Sequence, residues 1–478
     1  MLGNLERGQD DLFVAGTLRD LVPDDYVLKR VDKVLDLSWL RNEVRDLYDD
    51  RMGRPSIDPE AAVRLMLAGF FHGIVHDRKL MREARMHLGI RWFAGFRLHE
   101  ELPDHSSLTR IRQRWGPERF KRIFHKTVEA CVKAGLVDGE TVHIDATLIR
   151  ADASWESLVE RHAEKVTEEN AGEPEPPPPR RGRPRTRERT PKKISPTDPD
   201  ATLTTSSHHS RMEPSYKQHT AVDDKAGVVL DVETTTGEAS EGQRLLDQVK
   251  RVEASTGRKV ETLTADAGYA HAANYQALEE RGTDAIIPPQ KAAKSARRLP
   301  LRRFKYDAKH DLVRCPTGRI LRKRGEQAKG GVYRATARDC RACPLRGRCI
   351  GQGASRVVVI VNGYPALLRA RRRRLRWSEE DRQRYSRHRW RAEGIHGEAK
   401  TQHGLRRAIR RGLANVAIQV YLTAAVMNLK RLAALQRLLF ALQWLMERAQ
   451  RRDHDVRLVS FAQTAFWNET APVLRIAA

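Results

Sequence analysis

Two aspartates, each carried by a short run rich in β-branched residues, constrain this chain more than any other feature. Asp145 lies within Thr141-Val142-His143-Ile144-Asp145-Ala146-Thr147, and Asp266 closes Leu263-Thr264-Ala265-Asp266. Both runs have the composition and length of strands. Between them, Tyr216 to Val222 and Val228 to Thr234 flank Asp223-Asp224-Lys225-Ala226-Gly227, a hairpin pattern, and Glu241 to Ala254 reads as a helix. A helix around Asn274 to Arg281 and a strand at Asp284 to Ile287 continue the order. Acid-bearing strand, hairpin, helix, acid-bearing strand is an order that can put the two aspartates on neighbouring central strands of an α/β sheet.

The flanks have a different period. Up to about residue 135 the pattern is helical and basic. Asp58-Pro59-Glu60 starts one helix with a capping side chain and proline at the first position, a second spans Asp77 to Leu88, and a third follows Pro103 to Ser107. The third carries Arg110, Arg112 and Arg114. Short helices ending in an arginine-rich member resemble a helix-turn-helix, whose last helix could enter a major groove, against the plainer reading of a solvated basic face. The formal net charge of +26 favours a polyanionic partner, double-stranded DNA first. Membrane is disfavoured: the longest apolar run, near Ala414 to Leu429, is interrupted by Asn415, Gln419 and Asn428 and falls short of the ~20 residues of a span. With no apolar leader at the N-terminus, a cytoplasmic location is expected.

Composition divides the chain. Residues 1–135 form the helical segment and 136–290 the first part of the sheet domain, with a basic, Pro-rich linker over 165–200 that cannot bury apolar area and is expected to be disordered or extended. The linker's Arg181 and Arg183 stand in an Arg-Gly-Arg-Pro-Arg string suited either to an A·T minor groove or to solvent. Residues 291–375 form a basic insertion, and 376–478 return to helix, opened by Ser378-Glu379-Glu380-Asp381. The insertion, expected to have little core of its own, holds Cys315, Cys340, Cys343 and Cys349. Four such thiols could hold a structural Zn²⁺ tetrahedrally or remain reduced and unligated.

The helix that begins at Ser378 should run to Gly404 and carries a third acid, Glu393, with Arg389 and Lys400 on its face. Two strand aspartates and one helix glutamate suit two Mg²⁺ or Mn²⁺ ions, which prefer hard oxygen ligands and together bind the attacking and leaving oxygens of a phosphoryl transfer. Asp145 would bridge the ions, with Asp266 on one and Glu393 on the other; Arg389 and Lys400 would hold the flanking phosphates. Glu398, on a different face, is the rival acid. The fold class expected is α/β: an RNase H-like catalytic core with an all-α N-terminal DNA-binding domain, a cysteine-rich insertion and C-terminal helices.

These residues resemble the DDE transposases of bacterial insertion sequences, in the group whose N-terminal helical domain precedes an RNase H-like core with a cysteine-bearing insertion. The resemblance covers about Asp20 to Leu435 and rests on Ile144-Asp145-Ala146-Thr147, Ala265-Asp266-Ala267-Gly268-Tyr269, Arg389 to Glu393 to Lys400, and Cys340-Arg341-Ala342-Cys343-Pro344-Leu345 leading to Cys349. It departs at one position: the signature tyrosine of the last helix is displaced, with Tyr385 one residue early and Ser386 in the usual place. The resemblance implies binding of terminal inverted repeats, strand hydrolysis at the element ends, joining of the 3′-hydroxyl to target DNA, and a synaptic homodimer. Two other readings stay open: a DNA-binding remnant without catalysis, and an RNase H-like nuclease without strand transfer.

Overall fold

The computed structural model describes residues 16–49, 56–153, 158–161, 192–205, 212–290, 298–351 and 353–451. Most of the Pro-rich linker, with Arg181 and Arg183, lies outside the described residues. These divide into two compact units: Met1–Ala134, Ile149–Asp200 and Glu398–Ala478 in one, Gly135–Leu148 and Ala201–Gly397 in the other.

In the first unit the described elements of residues 16–134 are all helical. Three short turns, Leu18–Leu21, Val27–Asp32 and Leu40–Val44, precede α1 (Pro59–Phe71), α2 (Asp77–Met86), α3 (Leu88–Phe93) and α4 (His105–Lys133). Asp58 caps α1 as its sequence implies, accepting from the Glu60 and Ala61 amides. α4 runs well past the arginine-rich segment; Gly116, at φ 67°, and Pro117 kink it, since proline cannot donate to the preceding turn. The long C-terminal helix, named α10 below (Leu413–Arg451), packs on α4 in this unit. Phe124 stacks on Tyr421 with centroids 6.3 Å apart. Asn428 donates to Thr127 Oγ1 at 3.2 Å, which satisfies two polar groups in an apolar seam. Residues 376–478 are therefore not one segment: the division falls after Gly397.

The second unit is built on a six-stranded sheet. Its strands are β1 (Thr141–Arg150), β4 (Thr202–Thr204), β5 (Glu213–Asp223), β6 (Val229–Thr236), β7 (Thr262–Ala265) and β8 (Asp284–Ile286); β2 (Val159–Arg161) and β3 (Lys192–Ile194) form a separate small pair. The order is β4-β5-β1-β7-β8, with β6 antiparallel to β5, and β1, β7 and β8 run parallel. The hairpin lies on one side of β1 and the parallel strands on the other, a mixed α/β sheet with the two acid-bearing strands adjacent. α5 (Glu241–Thr256) and α6 (Ala272–Arg281) make the crossovers, both ending on a glycine with positive φ, Gly257 and Gly282, that closes the last turn.

Residues 298–361 correct one expectation. They form a five-stranded antiparallel sheet, β13-β12-β11-β10-β9 (Val357–Val361, Gly330–Arg334, Ile320–Gln327, Leu312–Arg314, Lys305–Asp307). It has a core of its own, in which Phe304, Val313, Leu321, Tyr333, Val358 and Ile360 are buried. The apolar positions are scattered among arginines, so the composition conceals an alternating strand pattern. After it come α7 (Tyr364–Arg374), α8 (Glu379–His388), a π-helical turn (Arg389–Glu393) and α9 (Gly394–Gln402).

Candidate active site

β1 and β7 pair in parallel with Thr141 opposite Thr262 and Ile144 opposite Ala265. The next residue on each chain is Asp145 and Asp266, so the register brings the two acids side by side at the carboxyl ends of adjacent parallel strands, where open α/β sheets present their sites. Asp266 caps the short turn Ala267–Tyr269, accepting from the Gly268 amide at 2.8 Å. Burial, then the charges of Asp145 and Glu241, push the Asp266 carboxyl above its usual range. Burial also pulls Asp145 upward, but its contact with His396 outweighs it and holds Asp145 below its usual range. A proton added to the pair therefore goes to Asp266 first.

Glu241, the first residue of α5, is a neighbour the sequence did not single out. Lys217 Nζ holds its Oε1 at 3.0 Å. A Cβ at Gly268 would lie 2.7 Å from Glu241 Oε2 and 2.9 Å from Asp266 Oδ1, so a larger residue there would make one or both carboxylates shift. Tyr269 is fully buried in the field of Asp145, Glu241 and Asp266, which adds to burial in raising its hydroxyl, and that hydroxyl has no hydrogen-bond partner.

Glu393 stands at the end of the π-turn, its side chain 60% exposed and 3.4 Å from Arg389. The turn is marked by the Gly394 amide bonding to the Arg389 carbonyl, five residues back. A π-turn takes in one residue more than an α-turn. Eight residues across it therefore cover the angle that seven cover in an α-helix, which is one face. This accounts for the displaced tyrosine. Tyr385 is half-buried, stacked on His388 at 5.9 Å and 7°, whereas Ser386 is exposed. Burial and the nearby charges of Asp266, Asp145 and Glu393 raise its hydroxyl pKa, so Tyr385, not Ser386, faces the acids. His388 and His396 bracket the turn and are both buried.

The other candidates fall into several settings. Glu398 belongs to the first unit and is engaged by Lys430, Arg431 and His403; burial opposes these partners, but they hold it well below the usual carboxylate range. Lys400 is half-buried in that same unit. Arg110 is exposed, and Arg114 is exposed over the Tyr48 ring at 4.8 Å. Arg112 is not a surface contact. It is buried against Asp77 by two bonds, 2.7 and 2.8 Å, because its position on α4 faces α2. In the arginine run, Arg369 pairs with Glu279 and Arg373 with Asp284 and Asp381. Cys315, Cys340, Cys343 and Cys349 line one cavity of about 20 Å³. Cys131 is buried on α4.

The hard oxygens of Asp145 and Asp266, set together so that each charge opposes the other, fit Mg²⁺ or Mn²⁺, and the four clustered thiols fit a soft ion such as Zn²⁺. As the side chains stand, no three carboxylate, imidazole or thiol groups among the described residues are gathered tightly enough to hold an ion. No helix among the described residues is long and apolar enough to cross a membrane.

Comparison with known proteins adds the following. A model described as "Transposase domain (DUF772)" matches residues 16–114, which contain Arg110, Arg112 and Arg114. A second, described as "Transposase DDE domain", matches 314–433, which contains Glu393 and the four cysteines but neither aspartate. No curated protein matches. Among solved structures, the piggyBac transposase synaptic complex with hairpin DNA is similar at 9% identity and TM-score 0.32, over 85% of this chain and 74% of that one. The Mos1 mariner paired-end complex with Mn is similar at 14% identity and TM-score 0.16, over 52% and 64%. The chain thus matches a transposase domain over residues 16–114 and a transposase DDE domain over 314–433.

Proposed function

We propose that this transposase binds the inverted-repeat ends of an insertion sequence in the cytoplasm, cuts a strand at each end and joins the freed 3′-hydroxyl to target DNA. The observation that carries the reading is the in-register pair Asp145 and Asp266 on adjacent parallel strands, in a chain whose flanks match transposase domains. Asp145, Asp266 and Glu393 would hold two Mg²⁺ or Mn²⁺ ions, which when bound lower the pKa of the attacking hydroxyl or water and stabilise the leaving oxygen. Arg389 is exposed beside Glu393 and would take a phosphate next to the cut; Lys400, in the first unit, would make a separate DNA contact. Arg110 and Arg114 would contact the element end, with the net charge of +26 supplying affinity that does not depend on sequence. A homodimer would hold the two ends together. The insertion's thiols would hold one structural Zn²⁺.

The test is Mn²⁺- or Mg²⁺-dependent cleavage and joining on oligonucleotides bearing the element ends, comparing wild type with Asp145→Ala, Asp266→Ala and Glu393→Ala. Each variant is expected to lose both steps. Activity in EDTA overturns the mechanism, activity in one variant overturns that residue's role, and cleavage without joining selects the nuclease reading.

A further inference from the structure

Asp145 ends a chain of hydrogen bonds whose direction is set by the groups at its ends. His396 Nδ1 lies 3.4 Å from Asp145 Oδ2, and its Nε2 lies 3.1 Å from Thr220 Oγ1. Gln218 Nε2 donates to that same hydroxyl at 2.9 Å. A carboxylate only accepts, so Nδ1 carries the ring proton. In the tautomer with the proton on Nδ1 alone, Nε2 accepts from the Thr220 hydroxyl, whose oxygen receives the Gln218 N–H. In that tautomer the links run from Gln218 through Thr220 and His396 to Asp145.

A second chain anchors the other end of the π-turn. Asp224 accepts from His143 Nε2 at 3.0 Å, Thr264 Oγ1 lies 2.6 Å from His143 Nδ1, and His388 Nδ1 lies 3.0 Å from the same hydroxyl. His388 and His396 are eight residues apart, and the π-turn, which takes in an extra residue, brings them closer to one line on the buried face. The turn that presents Glu393 to solvent is therefore pinned on both sides by imidazoles bonded to the sheet.

We propose that His396 is a positioning residue that orients the Asp145 carboxylate for a divalent cation, with Thr220 and Gln218 fixing the ring's tautomer and angle. The inference rests on the reading of Asp145 as a metal ligand. A carboxylate rotates readily about its last bond; an N–H fixed on one oxygen selects one orientation of the other. Partners that orient a ligating side chain typically account for about 10–100-fold in metal affinity or activity.

Mn²⁺ binding to the full chain without DNA, measured by calorimetry and by the loss of the free-ion electron paramagnetic signal, tests this directly. His396→Leu is expected to weaken Mn²⁺ about 10-fold or more and to raise the Mn²⁺ concentration needed for cleavage, with DNA binding in EDTA unchanged. His396→Asn, which keeps a donor at the Nδ1 position, should bind within about threefold of wild type, and His396→Gln, which places its donor at Nε2, should resemble leucine. Equal affinities for the Asn and Gln variants overturn the proposal, also where the leucine variant does not fold. Asp145→Ala separates the two levels: if it abolishes Mn²⁺ binding while His396→Leu leaves it intact, the metal site stands and the positioning role falls. If Asp145→Ala binds as wild type does, the metal reading falls and the proposal with it.

Discussion

Replacing Asp77 should be among the most damaging single substitutions in the helical unit. Its carboxylate receives two bonds from the Arg112 guanidinium, 2.7 and 2.8 Å, and is also engaged by Arg410 and by Thr109 at 3.2 Å. Asp77 is only 7% exposed and Arg112 3%. Two charge-assisted bonds at about 1.5–3 kcal/mol each bracket the loss at roughly 3–6 kcal/mol, in line with about 3–5 kcal/mol for removing one partner of a buried pair. Arg410 is more exposed and can turn to water, so the cost falls on Arg112. Far-UV circular dichroism of the full chain during guanidinium unfolding should place Asp77→Ala about 3–5 kcal/mol below wild type, whereas Asp77→Leu with Arg112→Met should recover most of it. Burial works against Asp77, but Arg112 and Arg410 outweigh it and hold its pKa below 3.8. The wild-type advantage over Asp77→Asn is therefore full above that value and is lost as pH falls through the folded-state pKa. A cost under about 1 kcal/mol, or a double variant no better than the single one, refutes the reasoning.

Asp145→Asn and Asp266→Asn are each expected to reduce cleavage more than about 100-fold, beyond the effect of an outer partner, in the oligonucleotide assay. Asp266→Asn should also raise the melting temperature of the metal-free chain at neutral pH. Asp266 has a raised folded-state pKa, so its ionised form costs stability at pH above that value, and the gain from Asn should vanish as pH falls through it. Arg110→Ala and Arg114→Ala should each lower the slope of log affinity against log salt by about 0.9 per lost phosphate contact in fluorescence anisotropy, while Arg112→Ala should show its main effect in the unfolding curve. Elemental analysis should find about one zinc per chain, lost in Cys340→Ser and Cys343→Ser; a metal-free wild type with an intact insertion refutes that site.

The sheet order was legible because it follows local signals. β-branched runs, a hairpin with Asp-Asp-Lys-Ala-Gly between its strands and a helix before β7 determine which strands can be neighbours, and the two aspartates follow from the register. Arg112 was misread because α4's helical period places it on the opposite side from Arg110 and Arg114, which share an exposed face; charge alone does not separate them. Glu241 gave no signal, since an acid at the start of a helix is ordinary dipole compensation. His388 and His396 were hidden for a different reason. At eight residues apart they sit near opposite edges of an α-helical face, and nothing in Arg389-Trp390-Arg391-Ala392-Glu393 announces a π-turn.

That turn connects the observations on the last helix. A single extra residue in an α-helix would rotate everything beyond it by about 100°, burying charged positions and exposing apolar ones. Confining the excess to Arg389–Glu393 leaves both flanking stretches in register: Tyr385 and His388 before it, and Ala392, Ile395 and His396 from its end onward, all meet the sheet side. Within the bulge, Arg389, Trp390 and Glu393 are exposed while Ala392 stays buried. Removing one residue there, as in a Trp390 deletion, should convert the turn to α-helix with the flanks still in register. The same deletion inside α8, for instance of Gln383, should rotate Tyr385 and His388 off the sheet. A folded Trp390 deletion beside an unfolded or metal-deficient Gln383 deletion would support the turn as the register device; equal damage from both would refute it.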